Sequence, residues 1–309
     1  MAFQVFVDGA EGTTGLVINE RLAMREDIEM LTIAPELRKD SSARRALIHQ
    51  ADAVFLCLPD DAARESASLA EGSNAVVIDA STAHRTNDAW AYGFPELSAL
   101  HQAKVRGSKR ISVPGCHATG LIATVYPLIA AGVMGANYPV SAHSITGYSG
   151  GGKKMIAEYQ DEGRSIAYDS PRQYGLPLKH KHLPEMQKMS GLSEVPLFNP
   201  IVCDFYAGMA VSVPVYARLL RKRLGLKDMI ALLSEHYAGQ AFVRVSAQPE
   251  DGFLPANLNT GTNNLTIYVC GNDEQMTLVS VFDNLGKGAS GAAVQCMNIA
   301  LGLDERIGL

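Results

Sequence analysis

The stretch Ser112-Val113-Pro114-Gly115-Cys116-His117-Ala118-Thr119-Gly120 sets one cysteine directly after Pro-Gly, ahead of small and β-branched residues that read as a helix start. A sulfur at that position feels unpaired backbone N–H groups and the positive end of the helix dipole, and both favour thiolate over thiol. The thiolate is the form that attacks carbonyl carbon. The plainer alternative is a buried structural thiol, because free cysteine packs as a small core residue. Further along, Lys179-His180-Lys181-His182-Leu183-Pro184-Glu185 gathers two imidazoles, two cations and a carboxylate in one short segment. Histidines two apart can ligate a metal, sit solvated in a loop, or serve a nucleophile as acid and base, with Glu185 orienting the working imidazole. No Cys, Asp or third His stands at ligand spacing, so no metal is expected. In an extended segment alternate residues share a face, so His180 and His182 are equivalent and both stay candidates. His117 is expected to pack along its own helix, and His143 to be a satisfied core histidine.

The elements that must position these groups begin at the N-terminus. Phe3 to Val7 is an apolar run, then come Asp8-Gly9-Ala10-Glu11-Gly12-Thr13-Thr14-Gly15 and a helical pattern from Leu16 to Met24. Strand, glycine turn and helix in that order suit a dinucleotide pyrophosphate, whose charge backbone N–H groups at a helix start can hold. Gly9, Gly12, Thr13, Thr14 and Gly15 are therefore cofactor candidates, although the spacing is GxxGxxG and not GxGxxG. No Gly-Lys-Ser/Thr follows, which excludes a Walker loop. A second strand, Met30 to Ala34, leads to Pro35-Glu36-Leu37-Arg38-Lys39. The acidic residue that grips a ribose in NAD enzymes is offset here, and Arg38 and Lys39 stand where a 2′-phosphate needs cations, so NADP is expected. The apolar runs at Ala53 to Pro59 and Ala75 to Asp79 read as strands buried on both faces of a parallel sheet. Ser81 follows the second of them, on the side where open α/β sheets bind ligands, and joins the cofactor candidates.

Composition limits the classes of function. The chain has 309 residues, long enough for two domains. Hydrophobic residues make up 47% and charged ones 19%, which suits large cores, and the net charge of −5 comes without a basic stripe. Neither nucleic acid nor a membrane is expected as a partner. No signal-like segment or membrane-length apolar run is seen, and the five cysteines (Cys57, Cys116, Cys203, Cys270, Cys296) form no CxxC pair. A reducing, cytoplasmic setting is expected. After Cys116, an apolar helix pattern gives way to strand patterns at Pro139 to Thr146, Ile201 to Pro214, Val243 to Val245, Leu265 to Cys270 and Met276 to Phe282. Gly288 to Leu303 reads as a final apolar helix. The strand-rich middle predicts an α+β domain with one sheet face to cover, and a second copy of the chain is a common cover.

The glycine turn, Asp79-Ala80-Ser81-Thr82-Ala83-His84-Arg85, Tyr92-Gly93-Phe94-Pro95-Glu96-Leu97 and Pro114-Gly115-Cys116-His117-Ala118-Thr119 occur here in one order. Gly147-Tyr148-Ser149-Gly150-Gly151-Gly152, the Lys179 to Met186 segment and Asp283-Asn284-Leu285-Gly286-Lys287-Gly288-Ala289-Ser290-Gly291 follow them. Together they resemble the N-acetyl-gamma-glutamyl-phosphate reductases of arginine biosynthesis, over about residues 5 to 300. The longer form of that family has Tyr-Pro-Thr after its nucleophile. His117-Ala118-Thr119 places this chain with the shorter form.

The resemblance implies an α/β fold of the semialdehyde dehydrogenase-like superfamily. A Rossmann-like NADP-binding domain would span residues 1–116, completed by 284–309, with an α+β catalytic and oligomerisation domain at 117–283. It implies NADPH-dependent reduction of an acyl phosphate to a semialdehyde through a thioester on Cys116, and a homo-oligomer, dimer or tetramer. It favours an acid–base role for His180 or His182. It assigns Arg85, Tyr148, Ser149 and Glu185 to the substrate, and Asn284 to the nicotinamide carboxamide. The alternatives are another phosphorylating semialdehyde dehydrogenase, of aspartate or aminoadipate type, and a non-catalytic NADP-binding regulator.

Overall fold

The computed structural model describes residues 2–309. The chain divides into two compact units, one made of the residues up to Pro114 together with Ala289–Leu309, the other of Gly115–Gly288. In the first unit β1 (Phe3–Asp8), α1 (Thr13–Ala23), β2 (Ile28–Leu31), α2 (Ser41–Gln50), β3 (Ala53–Leu56), α3 (Asp60–Leu69), β4 (Val76–Asp79), β5 (Ala91–Tyr92), α4 (Ala99–Gly107) and β6 (Arg110–Ser112) follow one another. The strands form one sheet in the order β2-β1-β3-β4-β6-β5, parallel throughout. Every residue of β3 and β4 is buried, because helices cover both faces of such a sheet. Alternation then sorts the side chains. Val5, Val7, Phe55, Ile78 and Ile111 pack with Ala292, Val294 and Met297 of the C-terminal helix Gly291–Ala300, while Phe6, Val54, Leu56 and Val77 meet Ile48 and Ala63 on the opposite face. The C-terminal helix is fastened by Arg25, whose Nη1 donates to Asn298 Oδ1 at 2.7 Å. At the end of β1, the Asp8 carboxylate accepts from Arg44 Nη2 at 2.8 Å and Ser66 Oγ at 2.6 Å, which satisfies a buried charge.

In the second unit α5 (Cys116–Ala130) precedes β7 (Ser141–Gly147), α6 (Gly152–Gln160), β8 (Arg172–Gln173), α7 (Leu183–Ser190), β9 (Leu197–Cys203), β10 (Met209–Tyr216), α8 (Leu226–His236), β11 (Val243–Ala247), β12 (Leu265–Gly271) and β13 (Gln275–Phe282). These strands form a mixed sheet in the order β11-β12-β13-β10-β7-β9-β8. Helix α5 lies against β10 and β13 so closely that a Cβ on Gly120 would come within 2.4 Å of Val211 Cγ2. Ser280 Oγ donates to the Gly120 carbonyl across the same contact, at 2.9 Å.

Three sequence expectations change here. The run Ile201 to Pro214 is not one strand but parts of β9 and β10, separated by a turn ending at Gly208. Gly208 has φ +121°, and a Cβ there would meet the Asn257 backbone at 2.6 Å. The final helix opens with a π-turn over Gly286–Ser290 and becomes regular only from Gly291. His143 is exposed, not core, because β7 alternates and turns Ala142, Ser144 and Thr146 inward while His143 and Ile145 face out. The registers put Ile145, Leu197 and Tyr216 on that same outward face, and all three are exposed.

Candidate active site

Helix α5 begins at Cys116 itself. Gly115 is its N-cap in extended conformation, no side chain caps the helix, and its first turn holds no acidic residue. The first N–H groups of α5 have no acceptor within the helix, so the sulfur and anything bonded to it sit at an uncapped positive end. Cys116 is half-buried, whereas the other residues from Ile111 to Val125 are buried. The Gly115 N–H donates to Glu185 Oε1 at 2.8 Å, which ties the turn before Cys116 to α7. Gly288 closes the opposite side. A Cβ there would come within 2.9 Å of Cys116 Cβ, so only glycine fits. Three of the other thiols are disfavoured as thiolates. Burial, helped by the charges of Asp79 and Asp8, pushes Cys57 up to about 12, and burial also raises Cys203 and Cys270.

His117 is the hub of a cluster, not merely a packing residue. Its Nδ1 lies 2.7 Å from Ser144 Oγ and its Nε2 lies 2.7 Å from the Tyr174 hydroxyl. Its ring centroid is 5.5 Å from that of His180, 5.6 Å from that of His182 and 5.1 Å from that of Phe198. Burial pushes His117 down to about 3, with the charges of His180 and Lys181 adding to the effect, so it stays neutral. Burial raises Tyr174, and the nearby charge of Cys116 raises it further, so the phenol keeps its proton. His180 is half-buried and brought down to about 4, first by burial and then by Lys181. The His182 N–H donates to His180 Nδ1 at 3.2 Å, which leaves the proton of the neutral ring on Nε2. The segment holding them is a turn, with Leu183 N–H bonded to the His180 carbonyl, and not the extended stretch expected. His182, the N-cap of α7, is buried, and its ring meets that of His180 edge-on at 4.7 Å. Among the described residues no three His, Cys, Asp or Glu side chains converge as a metal-ligand set.

The glycine turn divides by its sterics. Gly9 has φ +88°, and a Cβ there would meet the Cys57 carbonyl at 2.4 Å. A Cβ on Gly15 would meet the Gly9 carbonyl at 2.6 Å, so both are needed to seat α1 on the sheet. Gly12 is different, since its Cβ would find only ordinary contacts at 3.5 and 3.6 Å. Beside it, Thr13 Oγ1 is buried without a hydrogen-bond partner, while Thr14 is half-buried. An open backbone position and an orphaned hydroxyl at an uncapped helix start fit a pyrophosphate. Arg38 pairs with Glu11 of this turn, and Lys39 is exposed.

Other predicted residues are engaged within their own units. The Ser81 N–H and hydroxyl both bond to Asp79, which also meets His84 Nδ1 at 2.6 Å. Arg85 is buried and donates to the carbonyls of Val113 at 2.9 Å and Ala80 at 3.0 Å. Asn284 belongs to the second unit, where Oδ1 accepts from Gly208 N–H at 2.8 Å and Nδ2 donates to Ser149 Oγ at 2.9 Å. Tyr148 stacks on Tyr159 at 4.7 Å. Tyr174, Ser144 and Gly288 escaped the sequence reading. Only Gly288 carried a signal there, as part of the Lys-Gly-Ala-Ser-Gly run.

A parallel nucleotide-type sheet and a mixed sheet whose leading helix starts on a half-buried cysteine match the semialdehyde dehydrogenase class. Models of that class match both parts: the semialdehyde dehydrogenase NAD binding domain at residues 23–105 and the semialdehyde dehydrogenase dimerisation domain at 116–284. The chain is 43% identical to N-acetyl-gamma-glutamyl-phosphate reductase 2 of Nostoc sp., over 99% of each chain. It is 44% identical to N-acetyl-gamma-glutamyl-phosphate reductase of Brucella ovis, over 97% of this chain and 99% of the other. The chain belongs to the N-acetyl-gamma-glutamyl-phosphate reductase family. Its fold is similar to that of aspartate semialdehyde dehydrogenase II of Vibrio cholerae (TM-score 0.72, 16% identity, 98% and 99% of the two chains). It is also similar to the NADP-bound aspartate semialdehyde dehydrogenase of Candida albicans (TM-score 0.67, 16% identity, 97% and 98%).

Proposed function

We propose that this chain reduces N-acetyl-gamma-glutamyl phosphate to N-acetylglutamate 5-semialdehyde and phosphate, as the names of its relatives indicate. The observation that carries the reading is the half-buried Cys116 at the uncapped start of α5, held through Gly115 by Glu185. The thiolate adds to the acyl carbon, forming a C–S bond and placing an oxyanion near the free N–H groups of the α5 first turn. Collapse of that oxyanion breaks the C–O bond to phosphate, which leaves with the electron pair and gives a thioester. A bound nicotinamide cofactor supplies the hydride for the reduction. Once the acyl carbon has taken it up, an alkoxide remains on the Cys116-bound carbon. His182 protonates that oxygen and withdraws the proton as the C–S bond breaks and the thiolate returns. His182 is preferred to His180 because it starts α7, the helix whose Glu185 holds the nucleophile turn, and because His180 Nδ1 already accepts a backbone N–H.

Gly12 and Thr13 would hold the cofactor pyrophosphate. Arg38 and Lys39 would hold a 2′-phosphate, which makes NADP the cofactor. Arg38 can leave Glu11 at little cost because both partners are exposed. No helix of the described residues is long and apolar enough to cross a membrane. A cytoplasmic homo-oligomer, dimer or tetramer, covering the sheet face of Ile145, Leu197 and Tyr216, completes the reading. The test is phosphate-dependent reduction of NADP⁺ with a panel of semialdehydes. N-acetylglutamate semialdehyde should be the preferred substrate over the aspartate and aminoadipate analogues, and preference for either analogue would overturn it.

A further inference from the structure

A groove of about 520 Å³ in the second unit is lined by Leu178, Lys179, His180, Lys181, Leu183, Pro184, Gln187 and Val195. Its lining holds two cations and an imidazole and no acid. Neither lysine has an acidic partner within 4.0 Å among the described residues, although paired surface cations are common elsewhere in the chain. The His180 Nδ1 is occupied by the His182 N–H, so the ring offers its Nε2–H as a donor. Leucine, proline and valine form the remaining wall, and low-dielectric walls focus the field of unpaired charges. The groove reaches toward Cys116, because the His180 ring that lines it lies 5.5 Å from the ring of His117, the residue next to Cys116. The Tyr174 ring centroid is 6.1 Å from that of His180, and Tyr174 itself senses the charge of Cys116. Unpaired lysines around a donor imidazole suit a compact dianion better than a carboxylate held by a single arginine fork.

We propose that Lys179, His180 and Lys181 seat the phosphoryl group that leaves in the reduction, and inorganic phosphate when the reaction runs backward. The inference rests on the reductase reading above and adds to it the place where phosphate binds. In the reverse direction phosphate attacks the thioester carbon, a C–O bond forms, the C–S bond breaks and the thiolate departs with the electron pair. The seat holds the phosphate oxygens for that attack.

The reverse assay separates the two anions of the substrate, because phosphate and semialdehyde are then added independently. In the Lys179→Met/Lys181→Met variant the KM for phosphate should rise roughly tenfold, the loss expected for two charge-assisted contacts partly screened by solvent. The KM for semialdehyde should be unchanged. An unchanged phosphate KM overturns the proposal, and so does a rise confined to the semialdehyde KM, which would assign the groove to the substrate carboxylate. A readout without turnover decides the case independently. Anionic iodoacetate should alkylate wild-type Cys116 faster relative to neutral iodoacetamide than it does the variant, and inorganic phosphate should slow iodoacetate in the wild type only. Equal ratios in the two proteins overturn the seat. Wild-type protein that shows no phosphate-dependent turnover but keeps the alkylation difference would overturn the reductase reading and leave the anion seat supported.

Discussion

Helices α1 and α5 both start without a side-chain cap, and their free N–H groups sit in different surroundings. At α1 the turn is open, Gly12 leaves its backbone uncovered, and Thr13 Oγ1 is buried without a partner. At α5 the turn is closed by Glu185 on one side and Gly288 on the other, and the chain places its own sulfur, Cys116, at the helix start. On the proposed function, the first would receive a charge from outside and the second would generate one in place. Steric access makes the difference, because the backbone donors and the dipole are alike at both.

Changing the sulfur at α5 should have the largest effect and should leave α1 untouched. Cys116→Ser is expected to lower turnover by roughly 10³-fold or more while NADPH affinity, measured by fluorescence titration, stays within twofold. A parallel loss of cofactor affinity would mean that the two helix starts are not independent. Next comes the acid–base group of the α5 side. His182→Asn should cost roughly 10²–10⁴ in kcat, and His180→Asn much less. An acidic limb of kcat/KM near pH 4 that disappears in His180→Asn would reverse that assignment, since His180 is the ring brought down to about 4.

At α1 the glycines themselves sharpen the contrast. Gly9→Ala forces a Cβ against the Cys57 carbonyl at positive φ and should lower unfolding stability by about 1–3 kcal/mol in denaturant titrations. Gly12→Ala meets only ordinary contacts and should keep full stability while weakening cofactor binding roughly tenfold. Loss of stability at Gly12 would show that its glycine serves packing.

Acid should act on the α5 side through His117. Its folded value of about 3 lies below its ordinary 6.5, so the unfolded chain binds the proton first as pH falls. Stability is then complete above pH 6.5 and declines by about 1.4 kcal/mol per unit as pH falls toward 3. His117→Gln should flatten that decline in denaturation curves taken at pH 7 and pH 5. The smallest effect is expected at the cations after β2. Neutralising Arg38 and Lys39 together should weaken NADPH about tenfold and leave NADH nearly unchanged. Equal losses would detach these residues from the 2′-phosphate.

The sequence made parts of this comparison visible. Runs such as Val54-Phe55-Leu56 are apolar at every position and can only be strands covered on both faces, so the parallel sheet was legible. The place of Cys116 at a helix start was legible because Pro-Gly precedes it. Glu185 was legible as a residue of interest but not as the acceptor for Gly115, because its partner is a backbone N–H that leaves no trace in residue types. Tyr174 and Ser144 meet His117 across 57 and 27 residues of chain, and no local spacing encodes such contacts. His143 was misread because a lone histidine among apolar residues does not reveal which way a strand alternates.

The helix Gly291–Ala300 also sets an order of assembly. It helps to wall one face of the parallel sheet, yet it is synthesised only after the whole of Gly115–Gly288. For the intervening time, roughly ten to forty seconds at common elongation rates, Val7, Phe55, Ile78 and Ile111 lack Ala292, Val294 and Met297 and keep only partners such as Ile18, Leu22 and Val105 on that side. The nascent cofactor unit is then a sticky half-core that a chaperone or the ribosome surface must shelter. A chain truncated before the last helix should leave that face only partly covered and precipitate, even though it retains all six strands.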